Sequence, residues 1–149
     1  MDLERSVDVA ADLTRTWAAL VDIESWPRFS RSMRSVERLD EGPLRVGSRA
    51  RVRQPGSPAL VWEVTVLRPH EVFTWVATTA GVRIVGDHRL APNPDGTTHL
   101  TLGIEQSGAL AGLVGALTRR RTSRFLDWEA DGLRRAGEGS AGGEGSDRL

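Results

Sequence analysis

The sequence contains no cysteine, no lysine and no tyrosine, and the first two absences each remove a class of chemistry. Without cysteine there is neither a disulfide framework nor a thiolate zinc site. Without lysine no side chain can form a Schiff base. The N-terminus, Met1–Arg5, lacks the apolar core of a signal peptide, and the most apolar run, Gly108–Leu117, is far shorter than the roughly 20 residues of a membrane helix. We therefore expect a cytoplasmic protein without membrane insertion.

Neither basic nor acidic residues are in excess, because the sequence has 20 of each. Proteins dedicated to nucleic acids normally carry a basic surplus and interleave it with aromatic residues. The arginine clusters at 49–53 and 119–121 have no such interleaving. A chain of 149 residues is long enough for one domain with its own core. The sequence thus predicts one soluble domain with no nucleic-acid partner, and leaves the oligomeric state open.

Short segments of alternating polarity fill most of the chain. The Leu60–Leu67 segment, for example, places Trp62, Val64 and Val66 on one face and Glu63 on the other. Such half-apolar segments, separated by turn residues, predict an antiparallel sheet with one solvated side. The predicted strands are Leu3–Val9, Ser32–Leu39, Ser48–Gln54, Leu60–Leu67, Glu71–Thr78, Val82–Leu90 and Thr97–Glu105.

Helical spacing occurs in three places. Two short helices are predicted between the first two strands, at Ala11–Val21 and after Asp22. A long helix is predicted over Ser107–Ala136, with Ser107 as its cap and Gly137 as its stop. Its apolar stripe is expected to face the core. The domain is therefore predicted to span 1–136, followed by a disordered glycine-rich tail, 137–149. The stripe comprises Leu110, Leu113, Val114, Leu117, Phe125, Trp128 and Leu133.

Several short motifs, in this order and at this spacing, resemble the polyketide cyclase/dehydrase branch of the START-like (SRPBCC) superfamily. The resemblance covers roughly Leu3 to Ala136. It implies an α+β helix-grip fold, in which a curved antiparallel sheet wraps around a long C-terminal helix and encloses a hydrophobic cavity. The motifs are Asp22-x-x-x-Trp26-Pro27-x-Phe29, Gly42-Pro43-Leu44-x-Val46-Gly47, Trp62-Glu63-Val64-Thr65, Phe73-x-Trp75, Gly81-Val82, Asp87-His88, Gly96-Thr97-Thr98 and Gln106-Ser107-Gly108.

Three aromatic residues on neighbouring predicted strands are candidate ligand contacts. Trp62, Phe73 and Trp75 either stack on a flat ligand or simply fill the core, as large aromatic side chains usually do. The other predicted lining residues are Ile84, Leu102, Leu113 and Leu117.

His88 is the candidate for proton transfer, because strand alternation places it with Ile84 and Leu90 on the inward face. The alternative is a buried histidine that only binds the backbone. Arg121 is either a clamp for a ligand carboxylate or phenolate, or part of a solvated arginine face. The other histidines, His70 and His99, do not converge with His88, so we predict no metal site and no cofactor.

The predicted partner is therefore a hydrophobic small molecule of the polyketide, lipid or quinone class. The sparse polar inventory favours binding over catalysis, although a polyketide cyclase/dehydrase-like reaction with His88 as acid or base stays open. A lipid or quinone carrier without turnover is one alternative. An interaction module that presents Arg119–Arg121 to a protein or ribosomal partner, as in toxin-like relatives of the superfamily, is another.

Overall fold

Seven antiparallel strands form a single sheet in the computed structural model, which describes residues 2–146 and their side chains as far as Gly139. The strands are β1 (Asp2–Val9), β2 (Ser35–Arg38), β3 (Arg49–Arg53), β4 (Leu60–Arg68), β5 (Val72–Thr79), β6 (Val82–Pro92) and β7 (Thr98–Ser107). Their order in the sheet is β1-β7-β6-β5-β4-β3-β2. Consecutive strands β2 to β7 are therefore neighbours, and β1 closes the edge beside β7.

The helices cover the concave face of this sheet. α1 (Leu13–Val21) and a 3-10 helix (Ile23–Arg28) connect β1 to β2, which lie at opposite edges. α2 (Ala111–Ser146) packs against β1, β7, β6 and α1. The predicted α+β helix-grip architecture, with two short helices between the first two strands, is confirmed. No helix in the described part of the chain combines the length and apolar character that a membrane span requires.

The prediction that Val66 shares the inward face of β4 with Trp62 and Val64 is wrong, because β4 contains a β-bulge. Val64 pairs with Trp75, but the next pair joins Val66 to Thr74, so that one extra residue enters the strand between them. The bulge reverses the alternation after Val64. Val66 consequently faces solvent, and Leu67 packs against the core instead.

Both predicted ends of the long helix are wrong. Ser107 is the last residue of β7, and α2 begins at Ala111. The helix continues past Gly137, where a Cβ atom would lie 2.8 Å from Val9 Cγ1, so this glycine permits close packing on β1. The predicted disorder of the tail 137–149 stays a prediction, and residues 147–149 lie outside the described residues.

The predicted apolar stripe of α2 is wrong in its first half. Leu110, Leu113 and Leu117 are 45%, 62% and 77% exposed. The C-terminal half of the helix docks through Leu126, Ala130 and Leu133, and this contact sets which face points inward. At helical spacing, the residues on the same face toward the N-terminus of the helix are Thr122, Thr118 and Val114. The three leucines therefore lie on the opposite, outer face.

Candidate functional site

A cavity of about 230 Å³ lies between the concave face of the sheet and α2. Strands β3 to β7 form its walls, and one side of α2 forms its roof. Among the predicted site residues, those that line it are Trp62, Trp75, Ile84, His88, Leu102 and Arg121.

Three predicted contacts lie elsewhere. Phe73 is fully buried behind the cavity, where its ring packs edge-on against His88 at a centroid distance of 4.9 Å. Leu113 and Leu117 lie on the outer side of α2, because the docked half of the helix sets its phase. The roof is built instead from Val114, Thr118, Thr122, Phe125, Leu126 and Glu129, which the stripe analysis largely missed.

Two tryptophans of the cavity wall pack against each other. The rings of Trp62 and Trp75 lie 5.2 Å apart between centroids at an angle of 32°. Gly86 pairs with Trp75 across β5 and β6, and a Cβ there would lie 2.8 Å from Trp75 Nε1. The absence of a side chain at this position therefore lets the indole lie over β6. Trp26 packs against the ring of Trp75 at 5.3 Å and 67° and helps to hold it in place.

His88 faces the interior, as strand alternation predicts, and both of its ring nitrogens have partners. Nδ1 lies 3.0 Å from the carbonyl oxygen of Phe73. Nε2 lies 3.0 Å from Oε1 of Glu129 on α2, and the two side chains are 3% and 11% exposed. Sequence analysis missed Glu129. The available signal was an acidic residue placed between Leu126, Ala130 and Leu133 at helical spacing, on the face that packs on the sheet.

The two hydrogen bonds of His88 constrain which ring nitrogen acts as a donor. A carbonyl oxygen can only accept, so Nδ1 carries a hydrogen and donates it to Phe73. Nε2 and the Glu129 carboxyl group then form a hydrogen bond only if one proton lies between them.

One arginine connects the roof to the wall at the opening of the cavity. Arg121 Nη1 donates to the carbonyl oxygen of Gly56, 2.9 Å away, in the loop between β3 and β4. The side chain is exposed on its outer side and lines the cavity on its inner side. It is thus a cationic group at the rim, where a ligand substituent would leave the cavity.

Two further arginines flank this rim. Arg31 and Arg124 line, with Arg121, a surface depression that shares Arg121 and Phe125 with the cavity, and we call these three arginines the arginine mouth. Phe125 and Trp128 lie between them, and the Arg124 guanidinium carbon is 6.0 Å from the Trp128 ring centroid. Within the described residues, none of the three forms an ion pair with a carboxylate.

The remaining candidate ligands for a metal do not assemble. His99 bonds Asp8 on the outer side of β7 and β1, 2.9 Å away, and this hydrogen bond lowers the pKa of Asp8. Asp87 points its carboxylate to Thr74 and Arg89. In the described part of the chain, no three histidine or acidic side chains come together in a way that would hold a metal ion.

A curved antiparallel sheet that grips a long C-terminal helix over an enclosed cavity defines a helix-grip ligand-binding domain. The sequence matches the family described as polyketide cyclase / dehydrase and lipid transport over residues 1–138. The chain therefore belongs to this family. A comparison of the sequence with curated proteins finds no match.

Solved structures with this fold include aromatase/cyclases. The ZhuI aromatase/cyclase from Streptomyces sp. R1128 superposes with a TM-score of 0.68 at 18% identity, over 91% of this chain and 94% of that chain. The di-domain aromatase/cyclase StfQ of the steffimycin biosynthetic pathway superposes with a TM-score of 0.72 at 14% identity, over 95% of this chain and 51% of its own.

A third structure widens the range of relatives. A START superfamily protein from Mycobacterium smegmatis superposes with a TM-score of 0.69 at 13% identity, over 90% of this chain and 97% of that chain. At these identities the superpositions establish the shared fold alone.

Proposed function

We propose that this protein binds a compact, flat, largely apolar ring compound of the aromatic polyketide type in the cavity beneath α2. The observation that carries the proposal is the cavity between the sheet and α2, whose wall includes the rings of Trp62 and Trp75 packed against each other. Aromatic rings in a cavity wall favour offset-stacked or edge-to-face contacts with another ring. The aromatase/cyclases among the structural neighbours and the family description support this ligand class.

The volume of the cavity shows which of the predicted ligand classes are small enough to fit. An apolar cavity of about 150 Å³ accommodates benzene, and the one in this protein measures about 230 Å³. One or two fused rings therefore fit, whereas the extended acyl chain of a lipid does not fit the cavity as it stands. This comparison favours a ring compound over the lipid carrier, and it leaves a small quinone as the second candidate.

The arginine mouth supplies the polar end of the proposed site. A carboxylate or phenolate on the ligand would reach Arg121 at the rim, and no protein carboxylate competes for the three guanidinium groups in the described residues. Arginine binds carboxylates through two parallel hydrogen bonds. We therefore propose a ligand with an apolar ring system and an acidic group at one end.

Binding of 2-naphthol, measured by tryptophan fluorescence and calorimetry, tests the cavity. Wild-type protein is expected to bind this two-ring probe, and Thr122→Phe to bind it at least tenfold more weakly, because Thr122 lines the roof and a phenyl group fills the space beneath it. Leu117→Phe is the matched control, since Leu117 lies on the outer side of the same helix. Absence of binding to the wild type, or equal binding by the two variants, contradicts the proposal.

The acidic end is tested by comparing 2-naphthoate with 2-naphthol. The carboxylate is expected to bind several times more tightly at low salt, and Arg121→Gln to remove that preference. Arg119→Gln is the control, because Arg119 lies on α2 but outside the cavity lining. A preference that survives in Arg121→Gln shows that Arg121 is not the residue that recognises the anion. Native mass spectrometry of the purified protein would identify any ligand that is already bound.

The hypothesis of an interaction module makes the opposite prediction. It requires Arg119, Arg120 and Arg121, which are all exposed, and is indifferent to the contents of the cavity. Binding of a partner that is lost in Arg119→Gln but kept in Thr122→Phe would favour that function over the one proposed.

A further inference from the structure

The outer side of α2, which faces away from the cavity, exposes large apolar side chains. Among the large apolar residues of the described chain, Leu117 and Leu113 are the most exposed, and Leu110 just before the helix is also exposed. A single exposed leucine is common in proteins, but several along one helix form a patch that marks an interaction surface. The beginning of α2 is therefore a candidate binding surface that is separate from the cavity.

The same stretch of the helix is basic. Four arginines follow the leucines, and residues 108–126 contain no aspartate or glutamate, although the whole chain is neutral. The first carboxylate of α2 belongs to Asp127, which is already paired with Arg5 at 2.6 Å. Within the described residues none of the four arginines forms an ion pair with a carboxylate. They are Arg119, Arg120, Arg121 and Arg124.

Helical geometry places leucines and arginines in one line on this outer side. Leu113, Leu117, Arg120 and Arg124 follow one another at steps of four, three and four positions, which is the spacing of one helix face. We call these four residues the outer row. All four side chains are exposed, and at 1.5 Å per residue the row is about 16 Å long. The outer row therefore offers an apolar part and a cationic part to the same partner.

We propose that the outer row is a docking surface for a membrane that contains anionic phospholipids. The leucines enter the layer between headgroups and acyl chains, and the arginines bind the lipid phosphates above it. Apolar and basic side chains on one exposed helix face are the combination that binds such surfaces. The helix then lies in the plane of the membrane surface and needs no spanning segment. Docking of this kind does not depend on which compound the cavity binds.

A second copy of the chain fits the outer row less well. Packing two rows together would bring both sets of arginines side by side, with no carboxylate in residues 108–126 to separate them. The few exposed leucines also supply much less area than the roughly 800 Å² that each partner buries in a standard interface. An anionic membrane meets neither objection, because its phosphates neutralise the arginines and lipid covers each leucine separately.

Co-sedimentation with lipid vesicles tests the cationic part of the outer row. Wild-type protein is expected to bind vesicles that contain phosphatidylglycerol, and to bind pure phosphatidylcholine vesicles about tenfold more weakly or less, since the surface potential attracts basic residues. High salt should weaken the binding, because it screens that attraction. Arg120→Gln should lower the affinity about fivefold, the contribution of one arginine near an anionic surface. Arg15→Gln, on the exposed side of α1, changes the net charge equally and is the matched control.

The double variant Leu113→Gln/Leu117→Gln tests the apolar part. It keeps every charge, and it should bind the phosphatidylglycerol vesicles about tenfold more weakly or less, because two apolar side chains no longer enter the lipid. Val46→Gln is the matched control, since Val46 is 60% exposed in the loop between β2 and β3. Thermal unfolding shows whether each variant is folded.

The absence of cysteine permits a direct measurement of insertion. Leu117→Cys introduces a single thiol, and a nitrobenzoxadiazole dye attached to it should brighten and shift to shorter wavelength when phosphatidylglycerol vesicles are added. The same dye attached through Val46→Cys should keep its aqueous emission.

Three results would overturn the proposal. If the wild-type protein does not bind the anionic vesicles, the outer row is not a membrane surface, and sedimentation velocity then shows whether a second copy covers it. If the leucine double variant binds as well as the wild type, or the dye at position 117 does not respond, the leucines do not enter lipid. Equal losses in Arg120→Gln and Arg15→Gln would place the contact elsewhere. None of these results bears on the binding of 2-naphthol in the cavity.

Discussion

The two halves of α2 differ in charge and in the burial of their apolar side chains. We call residues 111–125 the roof half and residues 126–138 the anchored half. The roof half carries four arginines and no acidic residue, and it presents Leu113 and Leu117 to solvent. The anchored half carries four acidic residues, and its Leu126, Ala130 and Leu133 belong to the core.

Long-range contacts follow the same division. In the anchored half, Glu138 accepts a hydrogen bond from the backbone of Ala10, and Arg135 donates to the carbonyl oxygen of Phe29 at 2.6 Å. The roof half lies over the cavity and makes two such hydrogen bonds, from Arg121 to the carbonyl oxygen of Gly56 and from Arg5 of β1 to the hydroxyl group of Ser123. One helix thus serves two purposes. The anchored half stabilises the fold and also contributes Leu126 and Glu129 to the cavity lining, and the roof half covers the rest of the cavity.

Leucine truncation is the strongest way to probe this contrast. Leu133→Ala removes a buried core side chain and should lower the free energy of unfolding by about 2–5 kcal/mol. Leu117→Ala removes an exposed side chain of the same type and should change it by no more than about 0.5 kcal/mol. Urea unfolding followed by tryptophan fluorescence measures both. Equal losses would show that the roof half is packed as well as the anchored half.

Replacing a glycine by alanine should change the stability of the protein in opposite directions in the two halves. A Cβ at Gly132 would lie 2.5 Å from the carbonyl oxygen of Phe29, so Gly132→Ala should destabilise the protein by about 1–3 kcal/mol. Gly112 has no atom within 4 Å of a Cβ, so Gly112→Ala should stabilise α2 by up to about 1 kcal/mol through helix propensity. Thermal unfolding of the two variants measures the difference, and shifts of the same sign would contradict it.

Amide hydrogen exchange should divide the helix at the same place. The roof half has fewer buried contacts, so its amides should exchange faster than those of the anchored half. Adding 2-naphthol at ten times its Kd should slow the roof half about tenfold, because opening the roof releases the ligand. The anchored half should respond less. Uniform protection along α2 would show that the helix opens as one unit.

The smallest expected effect is electrostatic and concerns Asp131 in the anchored half. The hydrogen bond from Arg134, and then that from Arg135, lowers the pKa of Asp131 below its ordinary value. This interaction stabilises the protein fully above the unfolded-state pKa, and the contribution is lost as the pH falls through the lower folded-state pKa. NMR titration of the carboxyl group measures the shift, and Asp131→Asn should remove this part of the acid dependence. A pKa at or above the ordinary value would contradict the expectation.

Local patterns were sufficient for most of the fold and for part of the site. Alternation placed Trp62, Trp75 and His88 on the inward face correctly, because side chains in a regular strand point to opposite sides in turn. It failed after Val64, where the bulge adds one residue and no turn residue marks it. The order of short motifs pointed to the family, and the match over residues 1–138 confirms it.

The phase of α2 and the partner of His88 depend on contacts that no local pattern contains. Leucines on the roof half and on the anchored half are chemically equal, yet only the second set is buried, since docking against β1 and α1 fixes the rotation of the helix. Glu129 meets His88 across 41 residues of sequence. The sequence by itself determined the strands, the inward histidine and the family, because these follow from short-range periodicity and order. The cavity, its roof and the contact between His88 and Glu129 were decided only when the helix was packed onto the sheet.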